Sequence, residues 1–449
     1  METVAFDQIG RTRKLEEITI LSSMGVFMDG YALSIFSSAY LFLSSSFLDR
    51  AIFVSFAASS IYMGMFAGSI VFGRISDSLG RKRIYTYDLL LTSLFLVLTG
   101  FSGNLTAFFI FQLLAGVGIG ADYPISSSIQ AEFSPRKSRG KYLVFNIFSW
   151  TLGSLAFYAV SIPIVIFSGH VAWRLMYITA AVIPLMVVFM RRSMPESPYW
   201  LVKNGNAVSA EAVVSGMARE AGYIRASVPE IQEGKTSFGE LRRYLPLIMF
   251  TSIAWLAYDV SSYGVWNYTP SLFVSAGGTY TSTILATMLE EIPVIVGTLL
   301  CLYSIDRFGR KRLESLGFAL AGVSLLVFAF ISLRSALPFA YVFMAFALMH
   351  FFHNIGPTNI TYLYPVEIFP TRLRATAMGI STAASRIGAI LGVFAFPLFW
   401  GTLGPQEPSV HHPSSPEPLG YCLPGCKAGQ AAAPAWLLMR ISSHLKMSF

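Results

Sequence analysis

Charged residues are scarce in this chain, and that scarcity decides the class of protein. Only 12% of the 449 residues are charged, whereas 54% are hydrophobic and the mean hydropathy is +0.59. A soluble globular domain is about 25% charged. The composition therefore excludes an ordinary soluble fold and predicts a chain whose surface mostly faces lipid.

Cysteine is equally rare, with only three residues. Cys301 falls in an apolar stretch, where it serves as an apolar filler. Cys422 and Cys426 lie near His411 and His412, but spacing alone does not make a zinc site. We expect no metal and no cofactor. We find no nucleophile–base set and no phosphate-binding loop in a water-exposed domain, so an enzyme is not expected.

Eleven apolar stretches are long enough to cross about 30 Å of hydrocarbon at 1.5 Å per residue. They lie roughly at 18–43, 51–73, 84–102, 106–128, 141–167, 171–190, 246–270, 279–304, 314–333, 337–361 and 376–400. In lipid every backbone amide needs an internal partner, so these stretches form helices. The expected fold class is an all-α integral membrane protein.

Basic residues concentrate in alternate loops. The opposite loops hold only Arg50, Arg174 and Arg334. The positive-inside rule therefore places the N-terminus and the loop 191–243 in the cytoplasm, and we expect a multi-pass protein of the plasma membrane. This asymmetry explains the net charge of +8 without a nucleic-acid partner.

Two cationic motifs repeat at nearly one offset. Residues 73–83 read Gly-Arg-Ile-Ser-Asp-Ser-Leu-Gly-Arg-Lys-Arg, and residues 306–312 read Asp-Arg-Phe-Gly-Arg-Lys-Arg. Each is followed by an acid seven residues before an arginine, namely Glu132 with Arg139 and Glu367 with Arg374. The offsets are 229 residues (306 − 77) and 235 residues (367 − 132). They imply a duplicated unit of about six helices, typical of a two-lobed transporter.

These motifs predict a conformational latch between helix ends, in short cytoplasmic turns where Asp and Arg pair or cap a helix. The alternative is that the cationic turns only set topology. The candidate latch residues are Gly73, Arg74, Asp77, Gly80, Arg81, Glu132, Arg139, Asp306, Gly309, Arg310, Glu367 and Arg374.

The repeat also predicts the domain organisation. We expect an N-terminal lobe of six helices at 1–190, a cytoplasmic linker at 191–243, a C-terminal lobe with five recognisable helices at 244–400, and an atypical tail at 401–449. A twelfth helix belongs near 406–425, where the residues are rich in proline, serine and histidine and cannot span a bilayer. Either eleven helices suffice or the end of the chain is altered; we favour an altered end.

Several stretches resemble a known family. The run Pro-Glu-Ser-Pro-Tyr-Trp-Leu at 195–201 and the repeated motifs are similar to sugar-porter-like members of the major facilitator superfamily. More narrowly, four segments resemble its phosphate:proton symporters: 116–124, Trp255 with Asp259 and Tyr263, 354–357 and 367–372. The resemblance covers residues 15 to 400 and implies two pseudo-symmetric six-helix lobes that work by alternating access.

Asp29, Asp122, Asp259 and Arg386 are charged residues inside four different apolar stretches. At 1.5 Å per residue, Asp29, Asp122 and Arg386 lie roughly 15–18 Å from the nearest charged helix end, and Asp259 lies about 20 Å from the start of its apolar stretch at Pro246. A charge at that depth costs at least about 2.5–3.5 kcal/mol, so it should face a cavity. We expect these four groups to share one water-reachable cavity at the middle of the membrane.

Arg386 is the expected anion contact, because a guanidinium keeps its proton and needs an anionic partner. Asp259 is its expected partner in the empty site, and a permanent structural bridge is the alternative. The four-residue spacing puts Trp255, Asp259 and Tyr263 on one helix face. By the resemblance these three residues, together with Asp122, Tyr123 and Asn354, bind substrate.

Carboxyl groups at depth are candidate proton carriers, because low dielectric favours their neutral form. The candidates are Asp29, Asp122, Asp259, Glu290 and Glu291. Asp29 and Asp122 could instead cap helix breaks, and the two glutamates could face an outer aqueous vestibule. His350 and His353 are expected to be polar residues packed between helices, with a proton relay as the alternative.

Three positions depart from the symporter pattern: Gln112 replaces an arginine, Trp150 a glutamine and Ala32 an acid. The substrate therefore stays open. We expect proton-coupled uptake of a small anion, first of all inorganic phosphate, by a monomer in the lipid bilayer. The alternatives are a proton-coupled sugar or carboxylate carrier, and a nutrient sensor or inactive remnant.

Overall fold

A computed structural model of the chain describes residues 3–43, 50–227, 238–332, 338–369 and 371–403. The position expected for a twelfth helix and the cysteines and histidines of the tail lie outside these residues. The side chains of Arg74, Asp77 and Arg374 are also outside the described part, and of Gly73 only its place in a helix is described.

Sixteen α-helices make up almost all of the described chain. They are α1 Arg13–Leu43, α2 Ala51–Leu79, α3 Arg81–Gly100, α4 Leu105–Phe133, α5 Arg139–Ser168, α6 Ala172–Thr179, α7 Val182–Met190, α8 Pro198–Lys203, α9 Ala207–Glu220, α10 Phe238–Trp266, α11 Thr269–Ser275, α12 Tyr280–Phe308, α13 Arg310–Ser332, α14 Phe339–Ile355, α15 Pro357–Ile368 and α16 Thr371–Leu403. The expected helical membrane fold is confirmed.

Two short strands were not expected. β1 (Thr3–Ala5) pairs in parallel with β2 (Arg225–Ser227), which follows α9. Three residues are too few for a period-two pattern to stand out in the sequence. The pairing ties the N-terminal segment to the end of the short helices α8 and α9.

Nine stretches of the described residues are long and apolar enough to cross a membrane. Three of the expected spans are broken rather than continuous. The break between α6 and α7 falls at 180–181, that between α10 and α11 follows Trp266, and that between α14 and α15 falls at Gly356. Pro357 opens α15, where its missing amide hydrogen costs no helical hydrogen bond.

The helices pair in the same way in both halves. α1 packs along α5 and α10 along α16, while α2 packs along α4 and α12 along α14. Glycine permits the closest crossings: a Cβ on Gly64 of α2 or on Gly116 of α4 would overlap a carbonyl oxygen of the facing helix. Small residues at such crossings let membrane helices approach backbone to backbone. The expected two-lobed arrangement is confirmed, and the domain boundaries stay predictions.

The repeated cationic motifs form sharper turns than expected. α2 runs through Leu79 and α3 begins at Arg81, so Gly80 alone joins them with φ of +97°. Gly309 joins α12 to α13 in the same way with φ of +81°. Only glycine readily adopts this backbone conformation. The expectation that Gly73, Arg74 and Asp77 lie in the turn is wrong, because these residues belong to α2.

The two halves meet along two helix pairs, α2 with α16 and α5 with α12. Phe56 packs edge-on against Phe394 in the first pair, with ring centroids 5.3 Å apart. Ser154 donates a 2.5 Å hydrogen bond to Glu291 in the second. These pairs frame the space between the halves.

Candidate functional site

A cavity of about 90 Å³ lies between the halves, with walls from α4, α5, α10, α12, α14, α15 and α16. Its ionisable lining residues are Asp259, Glu290, Glu291, His350 and Arg386. Its aromatic lining residues are Tyr123, Trp150, Trp255, Tyr258, Tyr263, Trp266 and Tyr362. The cavity is thus lined by aromatic side chains together with a few charged and hydrogen-bonding groups, as in many small-molecule sites.

Arg386 on α16 is the cation of this cavity. Its guanidinium lies 3.8 Å from the Asp259 carboxylate on α10, and both side chains are about 1–2% exposed. Neither Asp259 oxygen has a hydrogen-bond partner among the described residues, and nor does the arginine Nε. At 3.8 Å the pair is an electrostatic contact with unused hydrogen-bonding capacity, not a close bidentate bridge.

Aromatic rings hold the guanidinium in place. The Tyr123 ring centroid lies 4.6 Å from the Arg386 Cζ atom, and the Tyr263 hydroxyl accepts a 3.4 Å hydrogen bond from the guanidinium. Tyr263 packs against Tyr62 of the other half, with centroids 5.0 Å apart. Since Tyr123 is on α4 and Tyr263 on α10, residues from both halves surround the same cation.

Glu290 and Glu291 enter the cavity from α12 and are only 3% and 4% exposed. Oε1 of Glu291 accepts the hydrogen bond of Ser154, while its Oε2 and Oε1 of Glu290 have no hydrogen-bond partner among the described residues. The alternative that places both acids in an outer aqueous vestibule is wrong. Depth along one helix could not reveal that α5 covers α12 at this level.

The polar residues of α14 behave differently from one another. His353 shares a 3.1 Å hydrogen bond with Ser262, as expected for a packed polar residue. His350 lines the cavity, and its Nε2 has no partner among the described residues. Asn354 donates to the His350 carbonyl at 2.8 Å and accepts from Thr298 at 3.4 Å.

Most of the residues expected to bind substrate do line the cavity: Tyr123, Trp255, Asp259, Tyr263, Asn354 and Arg386. Their roles stay predictions. Asp29 and Asp122 are not in its lining, so the expectation of one cavity shared by all four charges is wrong. Both residues lie inside unbroken helices, α1 and α4, so neither caps a helix break.

Asp122 faces a second buried group instead. Arg191, in the 3-10 turn Arg191–Ser193 after α7, lies 3.5 Å from Asp122 and 3.9 Å from Asp88. Arg191 is the first residue of the loop 191–243 that the positive-inside rule places in the cytoplasm, and Asp88 is not among the residues expected to be functional. Asp88 stands inside the third apolar stretch, so the test applied to the other intramembrane charges would have found it. The inward turn of Arg191 has no comparable signal in sequence.

The three residues that differ from the symporter pattern, Gln112, Trp150 and Ala32, lie in different surroundings. Gln112 donates a 2.5 Å hydrogen bond to the Tyr177 hydroxyl, so it does not contact the Asp122 carboxylate in the manner expected of an arginine. Trp150 lines the cavity, and its indole N–H has no hydrogen-bond partner among the described residues. Ala32 is buried in the N-terminal core.

The latch residues form ion pairs, and the pair between Asp306 and Arg310 is the contact expected between an Asp and an Arg of the motif. Glu132 pairs with Arg81 rather than with Arg139, and it also accepts a hydrogen bond from Ser197. In the second copy, Arg310 pairs with Glu367 through Nε at 3.1 Å and with Asp306 at 3.0 Å. Each acid thus reaches the arginine that opens α3 or α13. The Nε of Arg139 has no hydrogen-bond partner among the described residues.

Known proteins share this architecture. The sugar (and other) transporter family model matches residues 18–412. YaaU of Escherichia coli (strain K12), a metabolite transport protein by name, is 29% identical over 402 residues, which cover 89% of this chain and 88% of YaaU. The low affinity inorganic phosphate transporter 3 of Petunia hybrida is 27% identical over 398 residues, 76% of this chain and 72% of that one.

A solved structure of XylE from E. coli, the major facilitator superfamily proton:xylose symporter, bound to 6-bromo-6-deoxy-D-glucose, matches with a TM-score of 0.69. It is 20% identical and covers 87% of this chain and 96% of XylE. At that identity the likeness shows the fold alone. The chain belongs to the sugar (and other) transporter family and has the major facilitator fold, so it is a multi-pass membrane transporter and not an enzyme.

Proposed function

We propose that this chain carries out proton-coupled uptake of a small anion through the central cavity, with inorganic phosphate as the first substrate to test. The observation that carries the proposal is the buried contact between Arg386 and Asp259. Each side chain belongs to a different helix of the C-terminal half, and both face the cavity.

The contact links proton binding to anion binding. A buried guanidinium without an anionic partner is strongly unfavourable. When Asp259 takes up a proton, Arg386 loses its counter-charge, and an anion in the cavity restores it. The proton and the anion therefore enter the site together, and reversal on the other side of the membrane releases both.

The relatives support this reading. The Petunia relative is named an inorganic phosphate transporter, and XylE, which shares the fold, is named a proton:xylose symporter. Rocking of the two halves about the cavity would expose Arg386 to each side in turn. The plasma-membrane location and the cytoplasmic N-terminus belong to the same proposal.

The test uses the full chain in liposomes that contain a pH-sensitive dye. External phosphate should acidify the lumen, because proton and anion move inward together. Asp259→Asn should abolish the acidification, and Glu211→Gln, at an exposed acid on α9, should leave it. Entry of labelled phosphate without acidification would refute proton coupling.

A sugar is the second candidate, and the cavity wall favours it. Seven aromatic side chains with Glu290, Glu291 and Asn354 offer flat apolar faces beside hydrogen-bonding groups, which suit a polyol. Uptake of labelled xylose or of a labelled carboxylate, measured against phosphate in the same liposomes, separates the candidates. A sensor or an inactive remnant would transport none of them.

A further inference from the structure

The central cavity holds more acid than base. Its lining includes the carboxyl groups of Asp259, Glu290 and Glu291, and Arg386 is the one permanent cation among the described residues that line it. Arg386 contacts Asp259 at 3.8 Å, so the two glutamates are left without a cation of their own among the described residues. A buried carboxylate without a counter-charge is strongly unfavourable. The anion site proposed above therefore accounts for Arg386 and Asp259 but not for Glu290 and Glu291.

The two glutamates belong to one face of α12. Four residues of this helix line the cavity: Thr287, Glu290, Glu291 and Val294. Their spacings of three and four residues put them on the same side of a helix. Oε1 of Glu291 accepts the hydrogen bond of Ser154, whereas its Oε2 and Oε1 of Glu290 have no hydrogen-bond partner among the described residues. Two carboxyl oxygens in the cavity lining therefore have capacity to accept hydrogen bonds.

His350 on α14 supplies a third acceptor. Its side chain lines the same cavity and is 7% exposed, and its Nε2 has no hydrogen-bond partner among the described residues. A neutral imidazole has one nitrogen that can accept a hydrogen bond. One turn further along α14, Asn354 accepts a 3.4 Å hydrogen bond from Thr298 of α12, so the two helices are in contact at this level. Three acceptors thus come from two neighbouring helices.

Aromatic rings flank the glutamates. Trp150 lies one turn before Ser154 on α5, and Ser154 is the residue that bonds to Glu291. Residues four apart share a helix face, so the indole lies on the side of α5 that meets Glu291. Trp150 packs against Trp266 of α10 with ring centroids 5.0 Å apart, and both rings line the cavity. Because the faces of tryptophan rings attract cations, these rings favour a positively charged group beside the two carboxyl groups.

We propose that Glu290, Glu291 and His350 form a subsite for a primary ammonium group, so that the substrate of the cavity is a small zwitterion. Its anionic group contacts Arg386, and a short chain joins that group to the ammonium. The inference rests on the proposed function, because it keeps Arg386 as the anion contact and names the chemical class of the anion.

The number of acceptors selects the kind of cation. A primary ammonium has three N–H donors, which match the free oxygens of Glu290 and Glu291 and the Nε2 of His350. A quaternary ammonium has no N–H donor and would leave all three acceptors unpaired. Polar groups that are buried without a partner weaken binding, so the subsite disfavours the quaternary form.

The ammonium also balances the charge of the glutamate pair. Two carboxyl groups that share a site rarely ionise together, so the pair carries one negative charge. One ammonium matches that charge. The anionic group of the same molecule matches Arg386 when Asp259 holds a proton, as in the proposed coupling. A zwitterion therefore leaves neither end of the cavity with an uncompensated charge.

The experiment compares three ligands by calorimetry on the purified full chain. Aminoethylphosphonate carries an anionic group and a primary ammonium, ethylphosphonate lacks the nitrogen, and the trimethylammonium analogue keeps the charge without N–H donors. Aminoethylphosphonate should bind about tenfold more tightly than ethylphosphonate, because charge-assisted hydrogen bonds add to the anion contact. Equal affinities for these two ligands would overturn the proposal. Equally tight binding of the trimethylammonium analogue would overturn the assignment to a primary ammonium.

Two variants locate the ammonium. Glu290→Gln and Glu291→Gln should each weaken the binding of aminoethylphosphonate about tenfold and change that of ethylphosphonate less than about twofold. Glu314→Gln is the matched control. Glu314 is also a buried glutamate with an oxygen that has no partner among the described residues, but it lies on α13 and is not in the cavity lining. Unchanged affinity in both cavity variants, or an equal loss in the control, would count against the subsite.

The same measurements separate this inference from the proposed function. Arg386→Gln removes the anion contact and should weaken the binding of both phosphonates about tenfold. If neither phosphonate binds to the unaltered protein, the anion cavity is refuted and the ammonium subsite with it. If both bind with equal affinity, the anion cavity stands and only the ammonium subsite is refuted.

Discussion

Asp259 and Arg386 face each other across the C-terminal half at 3.8 Å, each shielded from solvent and each short of hydrogen bonds. The separation is wide enough that the pair is attracted electrostatically without being locked by close hydrogen bonds. Such a pair can exchange partners at a lower cost than a bidentate bridge can.

Removing one partner should destabilise the protein more than removing both. Asp259→Asn or Arg386→Gln leaves a buried group without its partner, and should cost about 3–5 kcal/mol. The double variant Asp259→Asn/Arg386→Gln should lose less than the sum of the two. The apparent Tm of the detergent-solubilised protein measures this.

Glu211→Gln provides the control for that comparison. Its ion pair with Arg225, at 2.7 Å, is on the surface, with side chains 49% and 68% exposed. Exposed pairs contribute about 0–1 kcal/mol, so the Tm should hardly change. Additive losses at Asp259 and Arg386 would show that the two side chains do not interact.

The ion pairs of Arg310 should stabilise closure at the end of α12 and α13. Arg310→Gln removes its contacts with Glu367 and Asp306, which are partly exposed and together contribute about 1 kcal/mol. About 1 kcal/mol corresponds to roughly a fivefold change in an equilibrium. A cysteine introduced at Thr151 in the cavity should therefore react about five times faster with a thiol reagent applied from that side.

Arg307→Gln is the matched control, because Arg307 belongs to the same motif but its guanidinium donates a hydrogen bond to Tyr303 of the same helix. Replacing Cys422 and Cys426 with serine keeps the labelling specific to the cavity. Equal labelling rates for Arg310→Gln and Arg307→Gln would mean that the pairs do not hold this end closed.

Gly64 should tolerate no side chain. A Cβ there would overlap the Leu113 carbonyl oxygen of α4, so Gly64→Ala must push the helices apart and should cost about 1–3 kcal/mol. Gly322→Ala on α13 has nothing within 4 Å of the added Cβ and should leave the Tm unchanged or slightly higher. Similar losses at both sites would contradict the close crossing of α2 and α4.

The Trp150 indole should donate a hydrogen bond to the substrate. Its N–H lines the cavity without a partner among the described residues. Trp150→Phe removes that donor at a cost of about 1.5 kcal/mol, so KM for phosphate should rise about tenfold with little change in kcat. Trp173→Phe, at a buried tryptophan that is not in the cavity lining, is the control; an equal rise in KM there would point to a general packing effect.

The cavity residues differ in how far sequence could locate them. The spacing of Trp255, Asp259 and Tyr263 places all three on one face of α10, and the structure puts that face on the cavity. Helical periodicity depends only on residues near one another in the chain, so a sequence can predict which residues share a helix face. Which helix covers that face is not local, and Glu291 meets Ser154 on α5 from 137 positions away.

Sequence by itself determined the membrane environment, the helical class, the duplicated half and the depth of each buried charge, because these follow from composition, hydrophobic length and rise per residue. Only the tertiary structure decided which charges meet. It placed Asp122 beside Arg191 and outside the cavity lining, and it placed Asp259 beside Arg386. The physical reason is that a side chain's depth is set by its own helix, whereas its partner is set by how several helices rotate and tilt against one another.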